Sequence, residues 1–211
     1  MAREKKSAAA AERAADERDG DGRPLRADAR RNYERLVVAA RRVFSQQGAG
    51  APMEAVAREA GVGVGTLYRH FPRRIDLVEA VYRTDVDDLV ITAEKAVANL
   101  DPWSAVETFL RGFVRYAHGK RTLLSELHEA FDKNPSLKVK SRERIDQAME
   151  LVISRGQKAG VIRKDVDGPD VMQLVGPMCT SATLSEDQSE RLLRMILDGL
   201  RPHPRQVQRG G

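Results

Sequence analysis

Cysteine is nearly absent: Cys179 is the only one in 211 residues. An intrachain disulfide is therefore excluded, and the chain suits a reducing compartment. Aromatic residues make up only 5%, which argues for a helical protein rather than a β-sandwich. No apolar run approaches the roughly 20 residues of a membrane span, so no membrane partner is expected. Between Met1 and Leu25 the apolar side chains are alanines and Pro24. That leaves no apolar signal core, and a cytoplasmic location is expected. Catalytic motifs are missing as well: there is no G-x-S-x-G, no H-E-x-x-H and no C-x-x-C. Without a nucleophile and its base, the expectation is a non-enzyme that needs no cofactor.

What the chain does have is charge and helical periodicity. Charged residues are 32% and hydrophobic residues 41%, with 36 Lys and Arg against 31 Asp and Glu, a net charge of +5. Residues 28–74 alone hold nine Arg, no Lys and four acids, so this stretch carries a positive balance as large as the whole chain's. Residues 1–27 mix seven basic and six acidic residues with many alanines and cannot bury enough surface to order; they are expected to form a disordered arm. The 3.6-residue spacing of apolar side chains then predicts helices over 29–47, 52–60, 64–71, 73–99, 102–119, 122–132, 135–159, 169–182 and 185–200. Asp28 is placed as the cap of the first, and Ser185 with Gln188 as a capping box for the last. Tyr33, Leu36, Val37, Ala40, Val43 and Phe44 form the apolar face of the first helix. Nine helices without a strand pattern make an all-α protein. The segments expected are one domain over 28–77, a second helical domain over 78–201 and a loose tail over 202–211.

The most informative stretch is 51–77, A-P-M-E-A-V-A-R-E-A-G-V-G-V-G-T-L-Y-R-H-F-P-R-R-I-D-L. Met53, Val56, Ala57 and Ala60 repeat at i, i+3, i+4, i+7, Pro52 suits the first helical position, and Gly61 suits the helix end. In the second short helix, 100° per residue sends Val64, Leu67 and Phe71 inward and Gly65, Thr66, Arg69 and His70 outward, with Tyr68 between the two arcs. An outward face with a hydroxyl, a guanidinium and an imidazole but no carboxylate suits a polyanion. Two short helices joined by a glycine-containing turn describe a helix-turn-helix. G-V-G-V-G read as a nucleotide loop would need a preceding strand and a phosphate-loop lysine, and it has neither. A helical hairpin without nucleic acid would show the same apolar spacing; the donor face discriminates against it.

A-G-V-G-V-G-T-L-Y-R-H-F followed by P-R-R-I-D-L resembles the TetR family of bacterial transcription regulators over about residues 29–90. The family often carries Thr or Ser at the start of the first motif helix and Ser at the start of the second; here Ala51-Pro52 and Gly63 stand there. The resemblance implies a three-helix DNA-binding domain that meets double-stranded DNA through Gly63, Val64, Gly65, Thr66, Tyr68, Arg69, His70 and Arg74. In that reading Tyr68 and Arg74 touch phosphate, and Thr66 and Arg69 lie deepest over the major groove. It also implies a C-terminal domain for dimerisation and ligand binding, and a homodimeric repressor released from an inverted-repeat operator by a small-molecule effector.

For the ligand, the candidate lining is Phe109, Phe113, Tyr116, Leu127, Met149 and Val152, together with Trp103, His128, Met172, Val175 and Cys179. Such a set, with few groups to anchor a charge, suits an apolar or aromatic effector that is neutral or weakly charged, although each residue alone reads better as core. For the dimer, Leu174, Met178, Leu192, Leu193, Ile196 and Leu200 on the last two helices are expected to pair about a two-fold axis. His118, Glu126, His128, Glu129 and Asp132 are the one acid–imidazole cluster. His128 and Asp132 could share a metal at i, i+4, but no third ligand is visible, and an exposed helix face explains them; no metal is expected. A helical carrier or enzyme without DNA binding remains the alternative from another class, and a regulator without any effector is a third.

Overall fold

The computed structural model describes residues 25–48, 50–121, 123–181 and 184–202, with only the backbone of residues 25, 26 and 178–180. Most of the expected arm and tail therefore lies outside the described residues. Nine helices and no strand are present among those described. They fall into two compact units that divide between Leu77 and Val78.

The first unit opens with α1, Leu25–Gln47. It begins four residues earlier than expected, so 25–27 are helix rather than arm. Asp28 lies inside the first turn instead of capping it; there its charge complements the helix dipole, and it pairs with Arg31. Leu36, Val37, Ala40, Val43 and Phe44 are buried as the spacing requires. Tyr33 is the exception on that face, 40% exposed. The helix ends where Gly48 takes φ 77° and donates to the Phe44 carbonyl at 2.9 Å.

Helix α2, Met53–Ala60, buries Met53, Val56, Ala57 and Ala60 against α1. Pro52 sits one residue outside the helix, at the cap, where its carbonyl accepts from Ala55 at 3.0 Å. Gly61 adopts φ 63° at the C-terminus. Val62 N–H reaches back to Ala57 O (3.0 Å) and Gly61 N–H to Arg58 O (3.1 Å), the paired bonds of a Schellman ending. Only a residue tolerating left-handed backbone fits there. Helices α3, Val64–His70, and α4, Arg74–Asn99, follow. At the start of α4 the Asp76 carboxylate accepts from the Arg73 N–H at 3.0 Å, one half of a capping box.

In the second unit, the rest of α4 is joined by α5 (Pro102–Arg121), α6 (Leu124–Lys133), α7 (Pro135–Lys158), α8 (Gly168–Thr180) and α9 (Glu186–Leu200). Asp101 caps α5, accepting from the N–H groups of Trp103 (3.1 Å) and Ser104 (3.0 Å). Gly119 does not end this helix. It continues to Arg121, whose guanidinium reaches the Ser181 carbonyl. The buried row Val106, Phe109, Leu110 and Phe113 makes α5 the centre of the unit, packed by α7, α8 and α9. Gly156 on α7 permits close packing: a Cβ there would stand 2.5 Å from Ile162 and 3.3 Å from Val106. Ser185 accepts from Gln188 N–H at 3.2 Å, but this is only half of the expected box. The complete box lies at α8, where Asp167 and Asp170 exchange bonds of 2.9 and 3.1 Å. Pro177 stands inside α8, which runs past it to Thr180.

Candidate nucleic-acid interface and ligand cavity

Helix α3 is short because both of its ends are fixed. Gly63 caps its start with extended backbone, accepting from Thr66 (2.9 Å) and Leu67 (3.2 Å), and Phe71 closes it with a bond to Leu67 O at 2.8 Å. Leu67 and Phe71 are buried, at 0% and 2% exposure, and anchor the helix to the unit. Val64 is not buried with them; it is 40% exposed, beside Tyr68 at 42%. The outward arc is therefore Val64, Gly65, Tyr68 and Arg69, turned by about one residue's 100° from the arc the spacing suggested. Thr66 and His70 flank it, half-buried. The cause lies on α1: the Tyr33 ring packs on Phe71 (5.1 Å between centroids) and meets His70 at 6.3 Å, covering that flank. A Cβ at Gly63 or Gly65 would meet no atom within 4 Å, so nothing inside the protein demands glycine at either place.

Arg74 departs from its expected role. Its Nη1 donates to the Ala51 carbonyl at 2.5 Å, and its guanidinium lies 5.1 Å from the Phe44 ring centroid. It is half-buried and ties the entry of α2 to α1 and α4, rather than standing out for a phosphate. Arg73, the exposed neighbour, is engaged by Asp76 at 2.5 Å. A broad depression of about 460 Å³ elsewhere on this unit is lined by Arg31, Arg35 and Arg42 but also by Glu34 and Glu59. Its mixed signs, with Arg42 and Glu59 paired at 3.4 Å, make it a poorer surface for a polyanion than α3.

In the second unit a cavity of about 310 Å³ opens among five helices. Tyr82 of α4, Phe113, Tyr116 and Lys120 of α5, Phe131 of α6, Lys138, Arg142 and Ile145 of α7, and Met172 and Gly176 of α8 line it. Three of the residues expected there, Phe113, Tyr116 and Met172, are in this lining. Phe109, Leu127, Met149, Val152 and Val175 are instead close-packed core, none more than 1% exposed. His128 is exposed on α6, as is Asp132, and no group of three metal-ligating side chains occurs among the described residues. Trp103 lies under the Arg201 guanidinium at 3.8 Å, and the side chain of Cys179 lies outside the described residues. The expectation of few charge-anchoring groups fails: three cations and no carboxylate line the cavity.

Two family models match the chain. The bacterial regulatory protein tetR family model covers residues 36–81, and the SbtR-like transcriptional regulator C-terminal domain covers 101–202. The chain is 38% identical to a TetR transcriptional regulator of Streptomyces coelicolor, with a TM-score of 0.72 over 82% of this chain and 99% of that one. The chain belongs to the TetR family of transcriptional regulators. A second solved TetR regulator, from Mycobacterium vanbaalenii, is 35% identical with a TM-score of 0.69, covering 84% of this chain and 99% of that one. An HTH-type transcriptional regulator of Staphylococcus aureus shares 39% identity over 64 residues, 30% of this chain. The chain spans about a third of the length of such curated relatives, 35%.

In this TetR chain the faces expected to dimerise are divided. Leu174 is 56% exposed on α8, and Leu192 and Ile196 are half-buried on α9. Leu193 and Leu200 are not available to a partner, being 1% and 2% exposed inside their own unit, and the Met178 side chain lies outside the described residues. Met195, which no expectation named, is 69% exposed. It shares the arc of Leu192 and Ile196, while α5 and α8 pack against α9, where Ser189 is buried against His118 at 3.2 Å and Glu190 holds Arg111 at 2.5 Å. Burial and the nearby Arg121 charge hold the His118 imidazole below its usual pKa. No described helix is long and apolar enough to cross a membrane.

Proposed function

We propose that this TetR-family chain acts in the cytoplasm as a homodimeric repressor of an inverted-repeat operator and is released by a small-molecule effector. The observation that carries the reading is α3: two buried anchors hold a short helix whose exposed arc offers Tyr68 and Arg69, with no carboxylate among its residues. In a major groove, Arg69 is the residue to reach base edges, since a guanidinium can bond guanine through two donors at once. Tyr68 would turn its hydroxyl to phosphate, with Val64 offering apolar contact to a thymine methyl. Gly65 would let the backbone come close, while Thr66 and His70 would act from the flank and the Gly63 end through backbone N–H groups. Arg74 serves as a positioning residue that sets the angle of the α2 entry.

One such helix touches too few base pairs for specificity, so two are required. Leu174, Leu192, Met195 and Ile196 form the apolar surface that pairing would cover. The effector would occupy the α4–α8 cavity with its apolar or aromatic body and bias a two-state equilibrium of the dimer. Regulators of this family are normally not enzymes, and the reading contains no catalytic step. Selection of bound sequences from a random DNA pool, followed by gel-shift measurement, tests it. Recovery of a dyad-symmetric site is expected. Failure to enrich any sequence, or enrichment of one without dyad symmetry, contradicts it.

A further inference from the structure

The cavity of the second unit is chemically lopsided. Its depth is aromatic and aliphatic, while its charged residues are all cations: Lys120, Lys138 and Arg142. The Lys120 ammonium stands 5.7 Å from the Tyr82 ring and 5.8 Å from that of Phe131. Those two rings meet edge to face at 5.3 Å. A lysine laid on two ring faces keeps its charge at the cavity, where a purely solubilising lysine would extend into water. Lys138 and Arg142 are one turn apart on α7, both exposed, and like charges at that spacing repel. Asp146, which holds Arg142 Nε at 2.9 Å, lies outside the lining. Three positive charges around a concave apolar site focus a field that favours an entering anion.

We propose that this cavity binds a small organic anion, its acidic head between Lys120, Lys138 and Arg142 and its apolar or aromatic body on the rings below. The proposal rests on the reading that this unit holds the effector, and it names the effector's chemical class. A volume of about 310 Å³ is at the low end for ligand sites, which suits a compact aromatic or short-chain acid. Gly176 contributes to that space, since a Cβ there would meet no atom within 4 Å. A carboxylate or sulfonate gains charge-assisted bonds from the guanidinium and the ammonium groups that a neutral isostere does not.

Two fluorescent probes with the same body separate charge from shape: 1-anilinonaphthalene-8-sulfonate, an anion, and the neutral N-phenyl-1-naphthylamine. The full chain should bind the sulfonate at least about tenfold more tightly. The double variant Lys138→Gln/Arg142→Gln, both exposed positions, should lose about tenfold for the sulfonate and less than about threefold for the neutral probe. Gly176→Leu should weaken both, since it fills the shared space. Equal affinities for the two probes, a sulfonate affinity unchanged in the double variant, or no effect of Gly176→Leu each overturns the proposal. Operator anisotropy on a selected DNA site separates this from the regulatory reading. Charge-dependent sulfonate binding that leaves operator affinity unchanged keeps the anion site and removes effector release. Release by the neutral probe, unaffected by the double variant, keeps effector release and removes the anion site.

Discussion

Helix α3 and the α4–α8 cavity divide the labour of sequence and fold in opposite ways. In α3, Leu67 and Phe71 hold the helix, and Tyr68 and Arg69 project away from it, so the anchors and the contact residues are different side chains. In the apolar part of the cavity they are the same ones. Phe113 and Met172 line the space yet are only 4% exposed, each packed on its other side into the core. Contact residues that bear no packing load can change without loss of fold, which leaves recognition free to diverge. A cavity wall cannot change without being repacked.

Truncation should expose that difference most strongly at Phe113. Phe113→Ala removes a ring from the cavity wall and the core together and should cost about 3–5 kcal/mol of stability by chemical denaturation. A variant of wild-type stability would show that the residue belongs to the pocket alone. Arg74→Ala comes next, at about 2 kcal/mol, because it removes a charged bond to Ala51 O and the stacking on Phe44. Its salt dependence of operator binding should stay that of the wild type. A slope flattened by about one unit would return Arg74 to the phosphate backbone. Gly63→Ser should have a small effect of the opposite sign, a few tenths of a kcal/mol gained from capping α3, readable in the unfolding midpoint.

The smallest expected effect concerns the second unit and pH. Because burial and Arg121 depress the His118 pKa, the folded chain binds fewer protons than the unfolded one just below the ordinary 6.5. Stability from this group is present above that value, is lost as pH falls through the window down to the depressed value, and levels off beneath it. Urea midpoints of the wild type should fall with pH across this window more than those of His118→Gln, whose side chain does not titrate.

Much of the first unit was legible because its signals are local. Gly61 ends α2 through its own φ, and Met53, Val56, Leu67 and Phe71 repeat at spacings that require one neighbour each. Periodicity finds the mean direction of an apolar face but not which neighbour covers it, and so Val64 was placed inward although Tyr33 covers the other flank, at His70. The cavity was poorly legible for a different reason. Tyr82, Lys138 and Arg142 carry no local signal that sets them apart in the sequence; only packing of five helices brings them to one space. Leu193 and Leu200 likewise belong to an amphipathic helix whose inward side is set by α5 and α8, leaving Met195 to the outside.

The central claim is that the exposed arc of α3 reads DNA, and Arg69 tests it most directly. Affinities of the wild type and Arg69→Ala should be measured by gel shift on the selected operator and on a set of its single-base variants. The account predicts an unchanged unfolding midpoint, an operator affinity reduced by about 1–3 kcal/mol, and discrimination relaxed at one pair of positions related by the dyad. A folded Arg69→Ala protein that binds the operator as tightly as the wild type, with the same base preferences throughout, would contradict it.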